Sequence, residues 1–135
     1  MSRPRVLIVE DNAVNREFLL AVLGRHGDCE AAITGEEALD LFQAALRDGP
    51  RFDLVFMDVL LPGMDGLQTL ERVRELERRA GIPDGEGARV IVATALDDDQ
   101  HAARAFFQGR AVSYITKPLS VDSIRNELRG FGFLY

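Results

Sequence analysis

Three acidic side chains sit where apolar runs of this chain break off. Glu10 and Asp11 follow RVLIV, and Asp58 follows LVFM, a few residues before the break at Pro62 and Gly63. A fourth run, VIVATA, ends near Thr94, and a fifth, YITKP, near Lys117. Carboxylates held within several Å of one another repel by about 4 kcal/mol per close pair at an effective dielectric near 20, unless one takes up a proton or a cation binds. An all-oxygen, partly solvated set with few protein ligands suits Mg²⁺, which keeps several waters. An Asp after a strand is ordinarily a turn former or a helix cap. The hydroxyl of Thr94 and the ammonium of Lys117 change that reading for Asp58. Metal, cation, hydroxyl donor and carboxylate nucleophile are together what binding and accepting a phosphoryl group requires.

Those residues act together only if the fold gathers them. Short apolar runs alternate with amphipathic stretches along the chain, as expected of βα units around a parallel sheet. The expected strands are Arg5–Glu10, Cys29–Ile33, Asp53–Met57, Arg89–Ala93 and Val112–Thr116. Helical spacing places Val14, Phe18 and Val22 on one face of residues 13–23, and Leu39, Phe42 and Leu46 on one face of residues 36–46. Thr34 with Glu37, and Asp97 with Gln100, have capping-box spacing; Ser120 can cap a last helix, with Leu119 and Ile124 as its hydrophobic staple. The loop-forming segment 80–88 separates a helix from a strand within the alternation. The fold class is α/β: a flavodoxin-like, doubly wound (βα)5 arrangement with parallel sheet order 2-1-3-4-5. In that order the switch point lies between the first and third strands, where Glu10, Asp11 and Asp58 emerge.

Composition narrows the function classes. The 135 residues suit one domain spanning 1–135, with no output domain expected. Hydrophobic residues at 47% and charged residues at 28% are globular values, and no apolar run reaches membrane length. The N-terminus lacks the apolar stretch of a signal peptide, so the expectation is a cytoplasmic protein without membrane contact. A net charge of −6 argues against a direct nucleic-acid surface. The single cysteine, Cys29, excludes an internal disulfide and reads as a small core residue. His26 and His101 have no metal-ligand partner at helical spacing and read as surface residues.

VLIVEDNAVNREFL, DLVFMDVLLPGMDGL, VIVATA and YITKP, in that order and spacing, resemble the motifs of the receiver domains of two-component response regulators over essentially the whole chain. The resemblance implies that Asp58 accepts a phosphoryl group from a phosphohistidine on a histidine kinase or a histidine phosphotransfer protein. It implies Mg²⁺ held by Glu10, Asp11, Asp58 and the backbone carbonyl of Leu60, Glu10 acting directly or through water. Lys117 would pair with Asp58 at rest and with the phosphoryl group afterwards, while Thr94 would swing toward a phosphoryl oxygen. Tyr114 is similar to the family's switch aromatic, and the bond between Lys117 and Pro118 should be cis. The output face would comprise the fourth helix, fifth strand and fifth helix, where a downstream protein target would bind; homodimerisation on activation is compatible with it. Such a protein is a switch that catalyses only its own phosphorylation and dephosphorylation, either free-standing or as the receiver of a hybrid kinase.

The chain departs from the family's commoner pattern in two places. Leu60 and Leu96, two residues after Asp58 and Thr94, are apolar where many relatives are polar, which predicts slow hydrolysis of the acyl phosphate because no side chain there orients water. In FFQGRAVSYITKP, Arg110, Ala111 and Val112 replace the usual small and acidic residues; of the adjacent Phe106 and Phe107, one is expected to be exposed or covered by the tail GFGFLY. A haloacid-dehalogenase-type aspartyl-phosphate phosphohydrolase would need a second acid where Leu60 stands, and a flavodoxin would need a phosphate-cradling loop where EDNAVN stands. A degenerate receiver acting as a phosphorylation-independent interaction module is the remaining alternative.

Overall fold

The apolar runs pair into one parallel five-stranded sheet. The computed structural model describes residues 3–94 and 113–133. In chain order the elements are β1 (Arg5–Val9), α1 (Ala13–Leu23), β2 (Asp28–Ala32), α2 (Gly35–Asp48), β3 (Leu54–Asp58), α3 (Gly66–Arg79), β4 (Arg89–Thr94), β5 (Ser113–Thr116) and a C-terminal helix (Val121–Gly130). The sheet order is β2-β1-β3-β4-β5, as the alternation predicts. β3 is buried at every position because helices cover both of its faces, whereas the edge strand β2 carries polar, solvent-facing residues.

Side chains alternate across the sheet and divide the interior in two. Leu7, Val9, Val55 and Met57 meet Leu67, Leu70 and Val73 of α3 and Phe42 of α2. Val6, Ile8, Phe56 and Ile91 meet Leu19 and Leu23 of α1 and Ile124 and Leu128 of the C-terminal helix. Each fully buried aliphatic or aromatic side chain contributes roughly 1.5–3 kcal/mol relative to exposure. These two layers hold the strand ends in fixed register.

Several expected boundaries move by one residue. β1 stops at Val9, leaving Glu10 just beyond the strand, although the Glu10 amide still donates to the Ala32 carbonyl at 3.0 Å. β2 begins one residue early, β3 extends to include Asp58, and β4 reaches Thr94. The buried row of α1 is Leu19, Val22 and Leu23, and Val14 is 78% exposed. Val14 lies in the first turn, where α1 has not yet come over the sheet, so helical spacing alone misassigned it.

The helix starts are chemically fastened. Asn12 caps α1 through a 2.9 Å bond to the Asn15 amide, and the Thr34 hydroxyl accepts from the Glu37 amide at 3.1 Å. α3 opens with a reciprocal capping box between Asp65 and Gln68, and the C-terminal helix with one between Ser120 and Ser123. Ile124 is fully buried and Leu119 packs against the same cluster, as a staple requires. The 80–88 loop is tied down by Glu77, whose carboxylate pairs with Arg74 at 2.8 Å and accepts from the Ala88 amide at 2.6 Å. Phe131 and Phe133 pack against the second core layer, edge to face at 6.1 Å, so this part of the aromatic tail covers the domain. Cys29 is partly buried against that same layer. Leu96, the Asp97 and Gln100 pair, His101, Phe106, Phe107 and residues 110–112 lie outside the described residues. Among the described residues no helix is long and apolar enough to cross a membrane.

Candidate functional site

Strand register brings the polar residues to one rim. β1 and β3 are neighbours with Val9 opposite Met57, so Glu10 and Asp58, the next residue on each, emerge side by side. Asp58 is opposite Ala93, which places Thr94 one step further along β4. Thr94 is opposite Thr116, and Lys117 follows immediately. Two backbone bonds beyond the ladder keep these ends together: the Val59 amide donates to Ala93 at 3.0 Å and the Lys117 amide to Thr94 at 2.7 Å. The peptide bond between Lys117 and Pro118 is cis, as expected, and so is that between Gly49 and Pro50.

One carboxylate oxygen from each of Glu10, Asp11 and Asp58 falls within 4.8 Å of the other two. Glu10 and Asp58 are buried, and Asp11 is exposed. Asp58 is held from two sides: the Leu60 amide donates to Oδ1 at 2.9 Å, and Lys117 Nζ lies 2.6 Å from Oδ2. Glu10 accepts from the Asn12 amide at 3.1 Å. Its carboxyl is nevertheless raised from 4.5 to about 7. Burial is the main cause and the neighbouring Asp58 adds to it, while the Asn12 amide and Lys117 oppose the shift. Three carboxylates gathered in this way, one of them raised chiefly by its burial, are chemically matched to a small hard cation, and the exposed Asp11 leaves room for metal-bound water. Three clustered oxygen donors fit Mg²⁺.

The loop between β3 and α3 is shaped by two glycines. Gly63 has φ of 71°, a left-handed conformation that suits glycine. At Gly66 a Cβ would stand 2.2 Å from the Asp58 carbonyl oxygen and 2.9 Å from the Val59 Cα, so α3 begins in backbone contact with the end of β3. Glu36 of α2 reaches the same loop through the Met64 amide at 3.3 Å.

Glu10, Asp11, Asp58, Thr94 and Lys117 therefore share the carboxyl rim of the sheet, with Thr94 buried beside the cluster. Leu60 meets Asp58 through its amide, and its side chain is 62% exposed at the rim. Tyr114, opposite Val92 on β5, is 41% exposed. Sequence reasoning missed Arg16, whose guanidinium donates to the carbonyls of Glu10 at 3.2 Å and Asp11 at 3.4 Å and so steadies the backbone of the acid pair. A long basic side chain about one helical turn into α1, five residues after Asp11, was the available signal.

The family model described as the response regulator receiver domain matches residues 6–129. The chain is 39% identical over 119 residues to the sensor histidine kinase GacS of Pseudomonas protegens, covering 87% of this chain and 12% of the kinase. It is 31% identical over 115 residues to the chemotaxis protein CheY of Treponema pallidum, covering 85% of this chain and 73% of CheY. Against several kinases the chain spans only a small part of the relative: 10% of SLN1 of Saccharomyces cerevisiae and 7% of hybrid signal transduction histidine kinase L of Dictyostelium discoideum. Among solved structures, it superposes with a TM-score of 0.81 and 26% identity on the co-crystal structure of the Saccharomyces cerevisiae histidine phosphotransfer signaling protein Ypd1 and the receiver domain of its downstream response regulator Ssk1, covering 97% of this chain and 90% of the matched chain.

Proposed function

This chain belongs to the response regulator receiver domain family, and we propose that it works as a phosphorylation-dependent switch whose phosphoacceptor is Asp58. The observation that carries this reading is the 2.6 Å pairing of Lys117 with a buried Asp58 that shares an acid cluster with Glu10 and Asp11. A carboxylate oxygen of Asp58 attacks the phosphorus of a phosphohistidine. The O–P bond forms, the N–P bond breaks, and the imidazole leaves with the electron pair and takes up a proton. The donor is a histidine kinase or a histidine phosphotransfer protein, the pairing named for Ypd1 and Ssk1.

Glu10, Asp11, Asp58 and the Leu60 carbonyl would hold Mg²⁺, which when bound neutralises charge on the phosphoryl oxygens. The chain's own groups supply the rest. Lys117 is free to leave the Asp58 carboxylate for a phosphoryl oxygen once that carboxylate becomes an acyl phosphate, and the Leu60 amide remains positioned to donate there. The Thr94 hydroxyl, buried at the end of β4, provides a further donor after a rotamer change. Tyr114 then occupies the space Thr94 vacates, and the surface around β5 and the flanking helices changes its packing for a downstream protein target. Exposed Val14 and Leu60 flank the acid cluster and offer apolar contact to the donor protein. The protein turns over no substrate other than its own acyl phosphate and operates in the cytoplasm.

The test is Mg²⁺-dependent labelling of Asp58 by acetyl phosphate, followed by intact-mass measurement. Wild type should gain one phosphoryl group and Asp58→Asn none. Equal labelling of both proteins would place the phosphoacceptor at a residue other than Asp58, and none in either would leave an interaction module that works without phosphorylation.

A further inference from the structure

The amino ends of β3 and β4 open onto a cavity of about 310 Å³, at the rim of the sheet opposite the acid cluster. Asp53, at its wall, immediately precedes β3 and Asp58 ends that strand, so at roughly 3.3 Å per residue the two carboxylates stand about 16 Å apart along the chain. The rest of the wall comes from the ends of α2 and α3, the 80–88 loop and the residues after the C-terminal helix. Part of it is firmly fixed. Glu77 joins Arg74 at 2.8 Å to the Ala88 amide at 2.6 Å, and Arg74 returns a bond to the Ala88 carbonyl at 2.9 Å. Gly87 closes over this carboxylate as only glycine can, since a Cβ there would stand 2.2 Å from Glu77 Oε2. The cavity is thus pre-formed, and its volume falls at the lower end of the roughly 300–1,000 Å³ of small-molecule sites.

The charges on the wall decide what could occupy it. Arg51, Asp53, Glu86 and Arg89 all line the cavity, yet among the described residues none of the four forms an ion pair with another. Asp53 accepts only the Arg5 amide, at 2.8 Å, and so keeps acceptor capacity. Glu77 is already neutralised by Arg74. Two guanidiniums and two carboxylates therefore face one space without meeting. A simple anion would lie against Asp53 and Glu86, and a simple cation against Arg51 and Arg89. An uncharged apolar molecule would strip water from all four and give nothing back. A zwitterion answers both signs, and the net charge of −6 on the chain neither attracts nor repels a molecule whose own net charge is zero. Between the charges lie the half-buried side chains of Leu46, Ile82, Phe131 and Phe133, which offer apolar contact to a third group on the same molecule.

We propose that this cavity binds a free α-amino acid with a large apolar side chain, its carboxylate on Arg51 and Arg89, its ammonium on Asp53 and Glu86, and its side chain against Leu46, Ile82 and Phe133. The planar guanidinium fork suits a carboxylate, and the apolar side chain supplies the part of the affinity that exposed charges do not. No residue of the cavity belongs to the acid cluster, so binding there is independent of the role given to Asp58.

The test is a titration of isotope-labelled full chain with L-leucine, followed by amide chemical shifts. Saturable shifts at Leu46, Ile82, Gly85, Gly87, Arg89 and Phe133 are expected. Three analogues each remove one contact: 4-methylpentanoate lacks the ammonium, 3-methylbutylamine the carboxylate and glycine the side chain. Each should bind at least about tenfold more weakly than leucine. The double variant Arg51→Gln, Arg89→Gln, made at two exposed positions, should lose leucine binding to the same degree. Its labelling by acetyl phosphate should match wild type. No saturable shifts at these residues up to about 10 mM leucine, or equal binding of leucine and 4-methylpentanoate, would overturn the proposal.

Discussion

Lys117 Nζ rests 2.6 Å from Asp58 Oδ2, although the two residues are 59 positions apart in the chain. The ammonium neutralises a buried carboxylate that Glu10 and Asp11 would otherwise repel, and it stands where a transferred phosphoryl group needs positive charge. Lys117→Met keeps the length of the side chain and removes the charge. Labelling by acetyl phosphate should slow by about 10²–10³, the usual effect of losing one electrostatic donor. Mg²⁺ affinity should rise, because the acid cluster becomes more negative. Magnesium titration by calorimetry beside labelling kinetics checks both, and parallel changes in the two quantities would contradict this account.

Glu10 makes the metal-free protein sensitive to pH. Between pH 4.5 and about 7 the folded chain holds a proton at Glu10 that the unfolded chain has released. Stability contributed by this group therefore falls as pH rises through that window, and the loss is complete above it. Glu10→Gln retains an acceptor for the Asn12 amide and abolishes the titration. In EDTA the variant should be more stable than wild type at pH 8 by on the order of 1–3 kcal/mol, with the advantage shrinking toward pH 5. Urea melts at the two pH values measure it; an advantage that does not depend on pH would assign it to packing instead.

Gly66 is the point where α3 touches the phosphoacceptor strand. A Cβ there meets backbone atoms at 2.2 and 2.9 Å, and backbone cannot move aside as a flexible side chain can. Gly66→Ala should destabilise the fold by about 2 kcal/mol or more and displace the Asp58 carbonyl. Gly130, at the end of the C-terminal helix, has nothing within 4 Å of its would-be Cβ, so Gly130→Ala should be neutral or stabilise by up to about 1 kcal/mol. A thermal melt that ranks the two variants the other way round would refute the contact.

Leu60 concerns the lifetime of the phosphorylated state. Its side chain is exposed at the rim and has no group that could orient an attacking water. Leu60→Asn should shorten the half-life of the acyl phosphate by about tenfold, below the roughly 10²–10⁴-fold of a placed acid or base because an amide orients water without taking its proton. The decay is followed by the loss of the added mass over time. Faster decay in wild type would rule this out.

The sequence by itself determined the strand order and the membership of the acid rim. Both follow from local facts: apolar runs long enough for buried strands, helical stretches between them, and polar residues where the runs stop. Parallel βα topology then brings those stops to one edge. The Ser120 cap and the Leu119 and Ile124 staple were legible for the same local reason. Asp65 and Gln68 have the same capping-box spacing in DGLQ and form the box that opens α3.

Only the tertiary structure decided the rest, because it depends on how elements lie against one another. The placement of α1 on the sheet left Val14, in its first turn, in solvent and buried Leu19. Glu77 is buried at 5% exposure because Arg74 and the Ala88 amide satisfy it, which no helical periodicity reveals. The raised Glu10 carboxyl comes from burial first, with Asp58 adding to it, and the cavity with Arg51 and Arg89 exists only where elements distant in sequence meet at the amino rim. Residue types and spacing specify which groups reach the rim; desolvation and mutual distance, set by packing, specify what those groups do once there.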